Sequence, residues 1–320
     1  MNVSAATPPE AAACVRAAGE AGISCAASKC GHVHLDLRPM QAVRFYQPGD
    51  LTVGADAGLT VAALNALLAG HGQFVPLDVA EPERTTLGAV LARHGSGPLR
   101  QRFGTVRDFV LGLEMVNDRG EIVHCGGTVV KNVAGYDWMK LMIGARGALG
   151  ILTGVNFKVF PRPQGIESAC FRGLSWPQVE AIRSGLLHSP LRPLAIELQA
   201  RGGERAVTVT YAGSAAVRGR YRREMSRLGA PEITEGAWPA ATPPTNAVYP
   251  PAQAVAALQA WEERHQQLSV TGRLGVGAFH VEPAPPPPPV APAAAGLMRR
   301  LKQELDPGGL FHGEDCGPSA

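Results

Sequence analysis

Long apolar runs are missing from this chain. None of 18 residues occurs anywhere in its 320 residues, so nothing in it reads as a membrane-spanning helix. The opening MNVSAATPPEAAACVRAAG lacks the basic start and apolar stretch of a secretory signal, and a cytoplasmic location is expected. Cysteine is sparse: six residues without paired spacing exclude a disulfide scaffold and suit a reducing compartment. Neither charge sign dominates, since 30 Lys and Arg face 27 Asp and Glu, and the arginines are dispersed, so no nucleic-acid partner is expected. The Gly-x-Gly openings at Gly70, Gly95 and Gly275 lack the following glycine of a dinucleotide fingerprint. No Gly-Lys pair of a P-loop and no Gly-x-Ser-x-Gly elbow occurs, so nicotinamide, nucleotide-triphosphate and serine-hydrolase chemistry fall away. Cysteine spacing for an iron–sulfur cluster is absent as well.

Glycine is what the chain has in quantity, 38 residues of it, concentrated over 126–163, GGTVVKNVAGYDWMKLMIGARGALGILTGVNFKVFPRP. Such a run permits tight turns and close approach to a flat or anionic ligand. It ends in a strand in which Val155, Phe157 and Val159 alternate. Lys131, Asn132, Tyr136 and Asp137 within it either orient a ligand or satisfy the backbone of their own turn.

Periodicity around this run has α/β texture. Helices are expected over 10–21, 61–68 with Thr60 as cap, 87–93 started by Thr85 and Thr86, and 138–143 capped by Asp137. Strands are expected over 23–26, 33–37, 51–55, 110–116 and 121–125, the last two joined by the turn Asn117-Asp118-Arg119-Gly120, and 73–78 reads as loop. Composition shifts after Pro161-Arg162-Pro163. Beyond it come a strand at 167–173, a helix at 175–187, strands at 194–199 and 206–211, and a helix at 214–228. A Pro-rich loop at 239–251, a helix at 252–267 and a closing strand at 273–281 follow. The pattern predicts an α+β chain with one domain over 1–165 plus 293–320 and a second over 166–292. Pro285–Pro289 forms an extended spacer between them and a helix over 294–305 docks back.

The 126–163 stretch closely resembles the FAD-binding subunits of bacterial glycolate oxidases (GlcE type), of the p-cresol methylhydroxylase (PCMH) and vanillyl-alcohol oxidase flavoprotein superfamily. Upstream, SGPLRQRFGTVRDFVLG at 96–112 resembles the family's SGPRRxRYGTVRDxVLG, and LKQELDPGGLF at 301–311 resembles its closing LKxxLDPxGxF. The resemblance implies a two-subdomain PCMH-type FAD-binding fold with FAD between the subdomains and a small ferredoxin-like α+β cap. It also implies oxidation of glycolate or a related 2-hydroxy acid, in a complex with a second flavoprotein subunit and an iron–sulfur subunit. By the same resemblance Ser28, Gly31, Gly88, Ser96, Gly97, Gly104 and Thr105 surround the diphosphate and ribityl chain, and Gly150, Ile151 and Leu152 lie near flavin or adenine. Arg107 and Asp108 are expected to brace their loop as an ion pair. The chain departs from the family at 27–32, where only Gly31 remains of a glycine-rich loop, and at Ala89, where a second glycine is usual.

Three readings of function stand beside one another: a redox subunit of such a complex, a free-standing FAD-dependent 2-hydroxy-acid dehydrogenase, and an assembly subunit that has lost flavin. His280 is the candidate general base, since an imidazole titrates near neutrality and oxidation of an alcohol needs a proton acceptor; the alternative is an ordinary strand-end histidine. Cys25, Cys30, His32 and His34 have the chemistry of a zinc shell, but His32 and His34 share one strand face while Cys25 lies on another strand, so no metal is expected. His32 is alternatively a covalent flavin attachment site, as in some superfamily members.

Overall fold

Threonine caps start the first helices. Thr7 accepts from the Glu10 amide ahead of α1 (Pro8–Ala18), and its prolines occupy the first turn, where no amide is needed. The computed structural model describes residues 1–24, 33–128, 137–236, 238–239, 243, 245–265, 267–287 and 291–312, and all elements below belong to these. They fall into two units. Met1–Gly95, Thr105–Arg162 and Pro289–Ala320 form one, Ser96–Gly104 and Pro163–Pro288 the other.

In the first unit β1 (Asn2–Ser4), β2 (Ile23–Ser24) and β3 (Val33–Asp36) form a parallel sheet in the order β1-β3-β2. Ala11, Ala12, Val15 and Ala18 of α1 recur at helical spacing and share a buried cluster with Ile23, Leu35 and Phe311. Phe311 bridges Ile23 in parallel, extending this sheet.

The same unit holds a five-stranded sheet. Its strands β4 (Val43–Gln47), β5 (Thr52–Asp56), β7 (Val110–Val116), β8 (Ile122–Gly126) and β9 (Ile151–Lys158) run in the order β4-β5-β9-β7-β8, all neighbours antiparallel. A small pair joins β6 (Gln73–Phe74), within what reads as loop, to β10 (Phe160–Pro161). Against the large sheet pack α2 (Val61–Ala69) and α3 (Leu87–Arg93), begun by Thr60 and Thr86 as their side chains accept from Ala63 and Ala89 amides. Leu64, Leu87, Leu91, Phe109 and Phe157 meet in their shared core. Arg44 on β4 bridges the largely buried carboxylates of Asp56 and Glu114, each at 2.7 Å. Short helices α5 (Val106–Phe109) and α6 (Trp138–Met142) complete the loops, and α10 (Pro292–Leu305) is the last helix among the described residues. α10 buries none of its residues, and Leu297 and Met298 are exposed.

The second unit is built on a seven-stranded antiparallel sheet: β11 (Ile166–Arg172), β12 (Ala195–Arg201), β13 (Glu204–Ala212), β14 (Glu232–Glu235), β15 (Ala247–Val248), β16 (Ser269–Arg273) and β17 (Ala278–Glu282), in the order β14-β11-β13-β12-β16-β17-β15. Helices α7 (Trp176–Leu187), α8 (Ala215–Ser226) and α9 (Ala254–Glu262) contribute Trp176, Ile182, Tyr221 and Leu258 to one core with Phe171, Leu198, Val209 and Phe279 of the sheet. Alternate residues of the same strands, among them Glu197, Gln199, Thr271, Arg273 and His280, therefore belong to the other face. Ser96–Gly104, with α4 (Arg100–Phe103), packs on β12 and on the 3-10 turn Leu274–Val276, so a stretch that composition places with the first domain clusters with the second unit.

Several sequence expectations are corrected here. The closing strand at 273–281 is two strands, because the chain turns at Leu274–Val276 and Gly277 takes a left-handed φ of 69°. The helix at 252–267 is shorter, Ala254–Glu262, and the edge strands β4, β14 and β15 add to the expected set. Of the proline spacer, 285–287 is irregular and its remainder lies outside the described residues. Among the described residues no helix is long and apolar enough to cross a membrane.

Candidate functional site

In the first unit the glycine-bearing segments gather around α3. At its start the Gly88 amide donates to Ala57 O at 2.8 Å, and a Cβ at Gly88 would stand 3.2 Å from Ala57, so this glycine lets the helix lie against the end of β5. At its other end His94 turns left-handed and Gly95 donates to Val90 O. There the loop 144–150 docks: Gly144 donates to Leu91 O and Arg146 to Ala92 O, both at 2.9 Å. Arg107 Nη2 donates to Ile143 O at 2.7 Å and fixes the entry to that loop.

Thr105 is held by Asp108, whose Oδ2 accepts from the Thr105 amide at 2.6 Å, one half of a capping box, and also from the Thr105 hydroxyl at 2.9 Å. The expected Arg107–Asp108 brace is thus two separate braces. Neighbouring positions on a helical turn do not face each other, so Arg107 reaches Ile143 while Asp108 turns back to Thr105. The Gly104 amide donates to Arg100 O. Ile151 and Leu152 open β9 opposite Val116 and Met115 with both side chains buried, and Gly150 makes room for Met115 beside them.

Ser96 and Gly97 belong to the second unit. Arg273 on β16, only 4% exposed, donates to the Ser96 carbonyl, to its hydroxyl at 3.0 Å, and to the Thr245 hydroxyl. Nothing in the sequence reading singled out Arg273; its one signal is that strand parity puts a cation on the sheet face turned from the helices. On that face Arg273 lies opposite Glu197 and Thr271 lies opposite His280. His280 is partly buried, with Nε2 3.3 Å from Glu282 Oε1. This second unit by itself thus sets an acid–base group, a guanidinium and a carboxylate on one sheet face.

Ser28, Gly31, His32, Cys25, Cys30, Lys131, Asn132 and Tyr136 lie outside the described residues. His34 is on β3, its Nδ1 3.2 Å from Ser24 Oγ, and Asp137 pairs with Lys140 at 2.7 Å.

The residues present fit a flavin dinucleotide. In loop 144–150 Arg146 and Gly147 both take positive φ, so the backbone turns sharply there, and the amides of Arg146 and Ala148 are spent on Ala92 O and Ala145 O. Among the described residues the amides of Gly147, Leu149 and Gly150 have no acceptor, and no atom lies within 4 Å of where a Gly147 Cβ would stand. The nearby carboxylate, Asp108, is engaged by Thr105, and Arg107 adds positive charge. Amide and guanidinium donors whose neighbouring carboxylates, Asp108 and Asp306, are already engaged by Thr105 and Lys302 have the chemistry a diphosphate requires.

Residues 3–126 match the FAD binding domain family. Over 303 residues the chain is 29% identical to glycolate oxidase subunit GlcE of Escherichia coli, covering 87% of this chain and 85% of that one. It is 33% identical over 115 residues to glycolate oxidase subunit GlcD of Bacillus subtilis, and 34% over 134 residues to a mitochondrial cytochrome D-lactate dehydrogenase of Arabidopsis thaliana. These alignments cover 36% and 42% of this chain, and span about a quarter of those relatives, 24% and 23%. Among solved structures, alkyldihydroxyacetonephosphate synthase superposes on 97% of this chain and 75% of its own with a TM-score of 0.70 at 16% identity, which shows the fold.

Proposed function

We propose, for a chain that belongs to the PCMH-type FAD-binding oxidoreductases, that it serves as the FAD-binding subunit of a glycolate oxidase complex, oxidising glycolate or a related 2-hydroxy acid to the 2-oxo acid. The observation that carries this reading is the likeness to GlcE over 87% of the chain, joined to a loop whose amides at Gly147, Leu149 and Gly150 stand without acceptors among the described residues. Bound FAD supplies the two-electron acceptor, and protein groups bind and orient it. In this reading Gly88, Ser96, Gly97, Gly104 and Thr105 are assigned to the diphosphate and ribityl chain, and Gly150, Ile151 and Leu152 to the ring systems. Ser28 and Gly31 belong to the same proposal. His280 accepts the hydroxyl proton, and Arg273 and Thr271 line the sheet face that carries it.

The two glycolate oxidase relatives bear subunit names, which supports a partner flavoprotein subunit here. Because no cysteine spacing for a cluster occurs in this chain, we assign onward electron transfer to an iron–sulfur partner in a reducing, cytoplasmic setting. The test is an absorbance spectrum of the purified chain, followed by dye reduction with glycolate and D-lactate, alone and with partner subunits. Flavin bands with turnover only in the complex support the reading. Turnover by the isolated chain makes it a free-standing dehydrogenase, and colourless protein that ignores added FAD overturns both.

A further inference from the structure

The C-terminal helix presents a puzzle of anchorage. α10 buries none of its residues, and a helix of this length without a buried face has little stability of its own. Among the described residues, its side-chain hydrogen-bonded tie to the rest of the unit is one residue. Lys302 Nζ donates to Ala148 O at 2.7 Å, to Phe311 O at 2.8 Å and to the carboxylate of Asp306, so all three ammonium donors are used. Asp306, 2% exposed, in turn accepts from the Leu310 amide at 2.8 Å and the Phe311 amide at 2.9 Å. Leu310 O accepts from Ile23 and His312 donates back to Ile23 O, so the far side of the clasp is fixed to β2.

The near side ends on the loop that carries the acceptorless amides. A peptide unit is planar and trans, so its C=O and the next N–H point in opposite directions. With the Ala148 carbonyl held by Lys302, the Leu149 N–H is aimed away from α10. Leu149 is one of the three loop amides without an acceptor among the described residues. Freed from Lys302, this peptide would rotate and the donor would lose its direction.

We propose that Lys302, set by Asp306, is a positioning residue for the cofactor: by fixing the Ala148–Leu149 peptide it presents the Leu149 amide as a donor to FAD. The proposal rests on the FAD reading above. It makes the closing motif at 301–311 part of the cofactor site, acting through loop 144–150.

The test uses full-length apoprotein titrated with FAD, following flavin fluorescence for the dissociation constant and visible circular dichroism for the environment of the bound ring, with the thermal midpoint of the apoprotein measured alongside. Lys302→Gln is expected to weaken FAD about tenfold and to change the flavin dichroism. Lys302→Arg keeps the charge opposite Asp306, but its longer forked head displaces the Ala148 carbonyl. It is expected to fold as wild type and to weaken FAD roughly threefold. Should Lys302→Gln not fold, Lys302→Arg alone decides. A folded variant that binds FAD within about twofold of wild type, with unchanged dichroism, overturns the proposal. Wild-type apoprotein that does not bind FAD overturns the functional reading and the proposal with it.

Discussion

The guanidinium of Arg273 donates to both the carbonyl and the hydroxyl of Ser96, across a sequence separation of 177 residues. A buried guanidinium is costly to leave half satisfied, and hydrogen bonds to a charged group contribute about 1.5–3 kcal/mol. Arg273→Met is therefore expected to destabilise the chain by about 2–3 kcal/mol in urea unfolding. Ser96→Ala removes only the hydroxyl bond and is expected to cost about 1 kcal/mol. Equal losses for the two variants would show that the guanidinium's contacts other than that to the Ser96 hydroxyl contribute nothing.

Glu167 predicts an acid limb. It is 1% exposed, with Oε1 accepting from Arg218 and Arg222 at 2.8 and 2.6 Å and Oε2 from Tyr211 and Arg222 at 2.9 and 3.0 Å. Burial alone would push its carboxyl up, but the hydrogen bonds from Arg222, Tyr211 and Arg218 together hold it below the ordinary range. A lowered folded value means stability that is present above the unfolded value, 4.5, and is lost as pH falls through the folded one. Burial, then Glu167, raises Tyr211, whose contribution is present below its unfolded value of 10.0 and lost as pH rises through the folded one. Glu167→Gln should lower stability at neutral pH by about 2 kcal/mol, since Arg222 is half exposed and rehydrates, and should flatten the loss below 4.5. Parallel melting curves for variant and wild type across that range would contradict this.

Two glycines separate packing from ligand contact. At Gly126, φ is 75° and a Cβ would stand 2.3 Å from Leu111 O, so Gly126→Ala combines left-handed strain with a backbone clash and is expected to cost about 3 kcal/mol. At Gly147, φ is 82° with nothing within 4 Å, so Gly147→Ala carries the strain alone, about 1–2 kcal/mol. Its larger effect should fall on FAD retention, read as the ratio of flavin to protein absorbance after gel filtration. A Gly147→Ala protein that keeps full flavin would place that loop away from the cofactor.

A base at His280 makes a kinetic prediction. His280→Asn should lower kcat with a 2-hydroxy acid about 100-fold and leave flavin content unchanged. It should also abolish the rise of kcat/KM with pH on the acid side, because a base acts only once deprotonated. A retained acid limb would assign that titration to another group.

Local signals were legible and long-range ones were not. Thr60 and Thr86 cap their helices as their hydroxyl spacing implies, and the Asn117–Gly120 turn joins β7 to β8, because each depends on residues within one turn of chain. The break in 273–281 escaped notice because its apolar alternation runs through the turn, while Gly277 is imposed by Tyr249 O, which stands 2.1 Å from its Cβ position. Val43–Gln47 sits at a sheet edge with no residue fully buried, so it lacks the contrast that marks a strand. The site divides in the same way. Its glycines are visible in the sequence, yet whether an amide is spent on a partner far along the chain, as at Gly88, or has no acceptor among the described residues, as at Leu149, is not. A buried Arg273 reads in sequence as an ordinary surface charge.

The bridge between Ile23 and Phe311 joins positions nearly three hundred residues apart, with all of the second unit synthesised between them. Closing so long a loop is slow relative to local pairing. On the ribosome the second unit's sheet, complete by Glu282, is available to fold before Leu310 and Phe311 emerge to finish the first sheet. The nascent first unit must therefore wait with β2 unpaired on one edge, which makes that edge the point where a chaperone or a misplaced strand competes with the native partner.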